Sequence, residues 1–161
     1  FVPSPTGKHI AYGVSIGGSE ISTTYIKNVS TGATVEITKI LSRGSGWNSD
    51  GSVFFYYRVR ADAVPGSPDF GRGGSCWMHR LGTPPNTDIE VFRNSEGPDF
   101  DGMEDDLPVV RGALGSNWIL GMHLLNGNDI SQVYVTKAQD LLDGKSWCQI
   151  LWAITKAKFC T

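Results

Sequence analysis

The sequence lacks any long apolar run and any secretory leader. No stretch of its 161 residues approaches the roughly 18 apolar residues that a membrane-spanning helix needs. The first residues, Phe1 to Ser4, contain no methionine, no basic flank and no apolar core of the kind found in signal peptides. We therefore expect no membrane partner, a cytoplasmic location, and a sequence taken from the middle of a longer protein.

A strong net charge is missing as well. Lysine and arginine together number 14 and aspartate and glutamate 16, so the formal net charge is only −2. A nearly neutral protein has no general attraction for nucleic acid or for anionic membranes. We therefore expect no nucleic-acid partner.

Cysteine is sparse and unclustered. Cys76, Cys148 and Cys160 are far apart and form no CxxC pair. This pattern argues against a disulfide framework and against a cysteine zinc site. Reduced structural thiols are the simplest expectation, and a single bridge is the alternative.

Sustained helical periodicity is also absent, whereas turn-forming residues are abundant. Glycine occurs 20 times and proline 8 times, which favours many short strands joined by turns. Only residues 137–142 indicate one or two helical turns. With 40% hydrophobic and 19% charged residues, the chain is expected to fold around a core as a single all-β domain covering residues 1–161.

A short unit recurs along the sequence, with a glycine turn followed by an apolar strand. Its copies span residues 4–12, 47–56 and, more weakly, 115–120. In the second copy Asp50 precedes Gly51, a pair typical of tight turns because glycine adopts positive φ. Two further strands are predicted after each copy, at residues 23–29 and 33–37, 77–81 and 89–92, and 132–136 and 147–151.

Each unit therefore predicts a small antiparallel meander, and the spacing of the units is that of propeller blades. The approximate blade units are residues 3–46, 47–110 and 111–161, with an insertion near residues 60–75 rich in Gly, Pro and Asp. Three blades do not close into a ring, so the predicted architecture is an incomplete β-propeller with exposed blade faces.

Three strings stand out in the sequence: residues 4–15 followed by 18–20, residues 47–56, and His79-Arg80-Leu81-Gly82-Thr83-Pro84 followed by residues 88–92. They resemble the propeller of the prolyl oligopeptidase family of serine peptidases. The third string is the most specific, because a generic propeller has no reason to carry it. The resemblance covers about residues 3–137, or two and a half to three blades, and fades from Ala138 onward.

The resemblance implies a seven-bladed propeller that caps a separate α/β-hydrolase domain and admits short peptides but not folded proteins. The catalytic Ser, Asp and His of the family lie in the hydrolase domain, which is absent from these residues. The resemblance thus implies a non-catalytic propeller segment that gates substrate access. Its expected partners are the hydrolase domain of a parent chain or copies of itself, with peptides as ligands, and no cofactor is expected.

Two other functions stay open at this point. One is a small stand-alone hydrolase (a peptidase, esterase or lactonase) with an unrecognised site, and the other is a self-assembling β binding module. The string Gly13-Val14-Ser15-Ile16-Gly17 has the spacing of a hydrolase nucleophile turn, with Ser15 as nucleophile and His79 or His123 as base. The following residues predict a strand rather than the required helix, so no catalytic residue is expected.

An acidic run at residues 96–106 holds six of the sixteen carboxylates. Asp99, Asp101 and Glu104 are its candidate calcium ligands, since hard cations prefer several such oxygens. The spacing does not match an EF-hand, and a solvated loop between blades is the ordinary meaning of such a run. No metal is therefore expected. The insertion at residues 60–74 is long for a hairpin, which indicates either a binding loop or a mobile surface loop.

Overall fold

The chain forms three four-stranded antiparallel sheets in a computed structural model that describes residues 1–18, 22–40, 46–93, 107–125, 129–145 and 147–152. The first sheet contains β1 (Val2–Pro3), β2 (His9–Val14), β3 (Ser22–Asn28) and β4 (Thr34–Ile40). The second contains β5 (Gly46–Trp47), β6 (Val53–Arg58), β7 (Ser75–Arg80) and β8 (Ile89–Arg93). The third contains β9 (Leu107–Gly112), β10 (Trp118–Leu125), β11 (Asp129–Lys137) and β12 (Cys148–Trp152).

Within each sheet, strands that are neighbours in sequence are neighbours in space. Each sheet is therefore a meander, and the prediction of an all-β fold with antiparallel blade-type meanders is confirmed. A 3-10 turn at Pro85–Thr87 and the short helix α1 (Ala138–Leu142) are the helical elements in the described part of the chain. No helix among the described residues has the length and apolar character needed to cross a bilayer.

The predicted turn repeat is present in all three sheets. Gly7, Gly51 and Gly115 have φ angles of 69°, 71° and 73°, in the left-handed region that glycine tolerates. The same hairpin frame surrounds each turn. One backbone hydrogen bond closes each hairpin. It runs from the Ser4 N–H to the His9 carbonyl in the first sheet, from the Asn48 N–H to the Val53 carbonyl in the second, and from the Ala113 N–H to the Trp118 carbonyl in the third.

The third copy of the turn is weak in sequence because its side-chain acceptor has moved. In the first turn, the N–H of His9 donates to the Ser4 Oγ at 3.1 Å. In the second turn, the N–H of Val53 donates to the Asn48 Oδ1 at 3.0 Å. The equivalent position in the third turn is Ala113, whose side chain has no acceptor atom. Ser116 replaces it and accepts from the Trp118 N–H at 3.2 Å. The backbone frame thus persists although the sequence pattern changes.

The first strand of every sheet is not among the strands predicted from the sequence. Strands β1 and β5 are two residues long, too short to carry a period-2 pattern. Strand β9 follows the acidic run and contains Pro108, which lowers its apparent strand propensity. Two of these strands also span the predicted boundaries between blade units. Strand β5 spans the boundary between residues 46 and 47, and β9 spans the boundary between residues 110 and 111.

Strand β6 is buried on both faces and separates two hydrophobic clusters. One face contributes Phe54 and Tyr56 to a cluster shared with the first sheet, which also holds Ala11, Ile26, Ile37 and Trp47. The other face contributes Val53, Phe55 and Tyr57 to a second cluster, which it shares with the third sheet. The third sheet adds Val110, Ile119 and Tyr134 to that cluster. The aromatic residues of β6 therefore fill the space between the second sheet and its neighbours on both sides.

Tryptophan side chains link neighbouring sheets through hydrogen bonds. The indole Nε1 of Trp47 in the second sheet donates to the Val2 carbonyl of the first sheet at 3.1 Å. The indole Nε1 of Trp147 donates to the Val91 carbonyl of the second sheet at 2.7 Å. The turns also touch, because the Gly115 N–H donates to the Ser49 Oγ at 3.0 Å. Hydrogen bonds therefore join the second meander to both of its neighbours.

Glycine is required where β9 approaches β5. A Cβ on Gly112 would lie 2.5 Å from the Asn48 Cα and 2.5 Å from the Trp47 carbonyl oxygen. Real side chains do not tolerate such contacts with backbone atoms, so the strands would have to separate. A Cβ on Gly46 would instead meet the Arg111 Cγ at 3.1 Å, and that exposed side chain is free to turn aside.

We expect Gly112→Ala to lower the free energy of unfolding by about 1–3 kcal/mol, the usual cost of overpacking a tight contact. Gly46→Ala is the matched control and is expected to change it by much less. Urea unfolding followed by tryptophan fluorescence measures both values. Equal stability of the two variants would contradict the close approach of β5 and β9.

Candidate functional site

A buried polar network joins β6, β7 and the start of β8. The Tyr56 hydroxyl donates to Asp88 Oδ2 at 2.9 Å, and His79 Nδ1 lies 2.8 Å from Asp88 Oδ1. The side chains of His79 and Asp88 are 1% and 2% exposed, and Tyr56 is fully buried. Burial, followed by the charge of Asp88 and its hydrogen bond, raises the pKa of Tyr56. Both carboxylate oxygens are thus engaged, and the network fixes the 3-10 turn to the second sheet.

The residues of the candidate nucleophile site lie apart. Ser15 is exposed just after β2, in the connection to β3, so a strand follows it rather than a helix. His79 belongs to the buried network with Asp88. His123 is buried in the third sheet, where its ring nitrogens lie 3.0 Å from Gln132 Oε1 and 3.2 Å from the Arg93 carbonyl. The structure therefore brings neither histidine to Ser15.

The candidate calcium ligands Asp99, Asp101 and Glu104 lie outside the described residues. No group of three or more His, Cys, Asp or Glu side chains suited to a metal occurs among the residues that are described. Cys76 is a free, buried thiol, and burial raises its pKa. Cys148 is disulfide-bonded, so the expectation of reduced thiols holds for Cys76 but not for Cys148.

The insertion between β6 and β7 has a defined conformation. It is a series of turns, closed by hydrogen bonds such as those from the Ala63 N–H to the Arg60 carbonyl and from the Ser67 N–H to the Val64 carbonyl, both at 3.1 Å. The buried Tyr57 anchors its end: the hydroxyl donates to the Gly71 carbonyl at 2.7 Å and accepts from the Gly74 N–H at 3.0 Å.

A two-part cleft, which we name the Arg58–Trp77 cleft, opens beside this insertion. Its two adjoining hollows have volumes of about 530 and 680 Å³, and Arg58 and Trp77 line both. The other lining residues of the first hollow are Val59, Arg60, Ala61, Gly73, Gly74, Ser75, Glu90 and Arg93. Those of the second hollow are Glu36, Pro85, Asn86 and Asp88.

The central feature of the cleft is a cation held over an aromatic ring. The Arg58 guanidinium carbon lies 4.8 Å from the centre of the Trp77 ring. The Trp77 indole Nε1 donates to the Ser75 Oγ at 3.0 Å, which fixes the plane of the ring. The sequence indicated a possible binding loop at residues 60–74, whereas the cleft formed by Arg58 and Trp77 was not predicted. The only sequence signal was that Arg58 ends an otherwise apolar strand.

Comparisons with known proteins agree with this architecture. A sequence profile described as "Prolyl oligopeptidase, N-terminal beta-propeller domain" matches residues 1–104. Prolyl oligopeptidase A of Galerina marginata is 27% identical over 116 residues, and the match covers 60% of this chain and 16% of that relative. The chain thus spans about one sixth of the length of this curated relative.

Solved structures show the same fold at low sequence identity. One of two prolyl endopeptidases analysed for inter-domain dynamics matches with a TM-score of 0.70 and 16% identity, covering 95% of this chain and 21% of that one. Prolyl oligopeptidase B from Galerina marginata bound to a 35mer substrate matches with a TM-score of 0.65 and 22% identity, covering 92% and 22% of the two chains. The resemblance seen in the sequence strings is therefore confirmed.

We expect Asp88→Ala to lower the free energy of unfolding by about 1–3 kcal/mol, because it leaves buried polar groups of Tyr56 and His79 without their acceptor. In a Tyr56→Phe background the same change should cost less, since one of those groups is already gone. Asp62→Ala, at an exposed ion pair with Arg60, is the control and should cost well under about 1 kcal/mol. Strict additivity of the Tyr56 and Asp88 changes in urea unfolding would argue against the network.

Proposed function

The chain belongs to the prolyl oligopeptidase N-terminal β-propeller family, and from that premise we propose that it is a non-catalytic propeller segment of a larger serine peptidase. The observation that carries the proposal is the packing of three consecutive meanders on one another through β6. In this arrangement the sheets are stacked blades. Ser15 is exposed after β2, whereas His79 and His123 are both buried and held in hydrogen bonds elsewhere.

The outward faces of the two outer sheets support incorporation into a larger ring. On β10, Ile119 packs toward the second sheet, so the alternating Trp118 points to the opposite face, where it is 47% exposed. On β2, Ala11 packs toward the second sheet and Val14 points away, 46% exposed. Propellers bury such faces against further blades. We propose that blades elsewhere in a parent chain cover them.

The proposed role in the parent is to restrict which substrates reach a hydrolase domain carried by the same chain. A ring of packed blades is a rigid barrier around a central channel, and only narrow or extended substrates pass it. Short peptides fit this requirement and folded proteins do not. The proposal assigns the chemistry to the hydrolase domain and the size selection to the propeller.

The test has two arms. The isolated chain should show no hydrolysis of a short proline-containing chromogenic peptide, and Ser15→Ala should leave this result unchanged. A chimera in which residues 1–137 replace the matching segment of Galerina marginata prolyl oligopeptidase A should hydrolyse the peptide but leave a folded protein with the same cleavage site intact. Hydrolysis by the isolated chain that Ser15→Ala abolishes would instead establish a stand-alone hydrolase. Cleavage of the folded protein by the chimera would contradict gating.

Self-association is a second candidate function, favoured by the same exposed faces. Ile130 pairs with Leu124 on the outward face of the third sheet and is 53% exposed. An outer sheet of one copy packed on the opposite outer sheet of the next would be a head-to-tail contact. Such a contact closes into a ring when the rotation from copy to copy adds up to a full turn.

For this second candidate we expect the isolated chain to elute as a closed oligomer whose mass is measured by light scattering. Ile130→Glu should reduce that mass to the monomer value, because it places a charge in the proposed contact. Val29→Glu, which places the same charge in an exposed turn, is the control and should leave the mass unchanged. A monomeric wild-type chain would contradict self-association.

A further inference from the structure

We propose that the Arg58–Trp77 cleft binds a peptide segment that carries a single carboxylate. The cleft lies beside the insertion, away from the outward faces of the first and third sheets. The proposal concerns a binding site on the second sheet and does not depend on whether the chain gates a hydrolase.

The first argument is the uncommitted charge of Arg58. Its guanidinium stacks on Trp77, and within the described residues no hydrogen bond or ion pair engages it. A guanidinium presents five N–H donors in a planar fork that matches the two oxygens of a carboxylate. Because the ring plane is fixed by the bond to Ser75, the fork is held in place before a ligand arrives. Little conformational entropy is then lost on binding.

The second argument is the charge around the first hollow. Among the described residues, Arg58, Arg60 and Arg93 line it together with a single acidic residue, Glu90. The Nε of Arg60 is paired with Asp62 at 3.1 Å and the Nε of Arg93 with Glu90 at 2.9 Å, so the charges of these two arginines are partly neutralised. Arg58 pairs with no carboxylate among the described residues, so it offers its whole guanidinium fork to an anion.

The third argument limits the ligand to one negative group. Glu36 and Asp88 line the second hollow, which adjoins the first through Arg58 and Trp77. An extended polyanion such as a nucleic acid would place further negative charges beside these carboxylates and be repelled. A peptide that continues from its carboxylate into neutral or apolar residues avoids that repulsion. Pro85 and the ring of Trp77 offer it apolar contact, and Asn86 offers amide groups for its backbone.

The size of the cleft agrees with this ligand. Hollows of about 530 and 680 Å³ lie in the range typical of sites for small ligands and short peptide segments. Because both hollows are lined by Arg58 and Trp77, we expect the carboxylate in the first hollow and the neighbouring residues in the second.

The test uses the full ¹⁵N-labelled chain and two blocked peptides of sequence Gly-Leu-Glu-Leu-Gly and Gly-Leu-Gln-Leu-Gly. We expect the Glu peptide to shift the NMR signals of the Trp77 indole N–H and of the Gly73 and Gly74 amides. The Gln peptide should bind about tenfold more weakly or worse, the usual effect of losing hydrogen bonds to a charged group. Equal affinities of the two peptides, or shifts located elsewhere, would overturn the proposal without any variant.

Variants and simple anions sharpen the result. Arg58→Gln should weaken binding of the Glu peptide about tenfold, and Arg58→Lys should weaken it less because the charge remains. Arg80→Gln removes an exposed arginine outside the cleft and should have no effect, which controls for net charge. Inorganic phosphate or a single-stranded oligonucleotide binding more tightly than the Glu peptide would show a different anion site and refute the peptide assignment.

Discussion

The double burial of β6 is the constraint on which the other features depend. Its residues from Val53 to Tyr57 are all buried, with alternate side chains filling the clusters on either side. A strand without a solvent face needs no alternation of polar and apolar residues, which explains the continuous apolar run. The first and third sheets are thus positioned relative to one another through the second. Tyr56 and Tyr57 extend this influence, because their hydroxyls anchor the 3-10 turn and the insertion.

Much of the architecture was predictable because it is encoded locally. The glycine turns and the three long strands after each of them follow from backbone chemistry and apolar patterning, which act over a few residues. The first strand of each sheet was not predictable in this way. Strands β1 and β5 are held by their neighbours: a bond from the Trp47 indole to Val2 connects residues 45 positions apart. No short-range pattern reports such a contact.

The candidate site shows the same division between local and long-range information. The string with His79 and Asp88 was recognised as specific, but its role as a buried network with Tyr56 depends on the strand pairing. The Arg58–Trp77 cleft also requires that pairing. Trp77 lies directly opposite Tyr56, so its ring is next to Arg58, which is two residues further along β6 on the same face. The insertion is held beside the cleft by the hydrogen bonds of the Tyr57 hydroxyl with Gly71 and Gly74. By contrast, the spacing around Ser15 suggested chemistry that its strand-to-strand context does not provide.

Each sheet is built from one continuous stretch of chain, since every described strand pairs only with strands that are its neighbours in sequence. A contiguous piece of coding sequence therefore specifies a complete blade, with its turn, its inner strand and its outer edge. Duplicating or deleting such a piece in frame adds or removes a whole packing unit and leaves the remaining strand pairs intact. This modular organisation lets recombination change the number of blades in a lineage without requiring any blade to be folded anew.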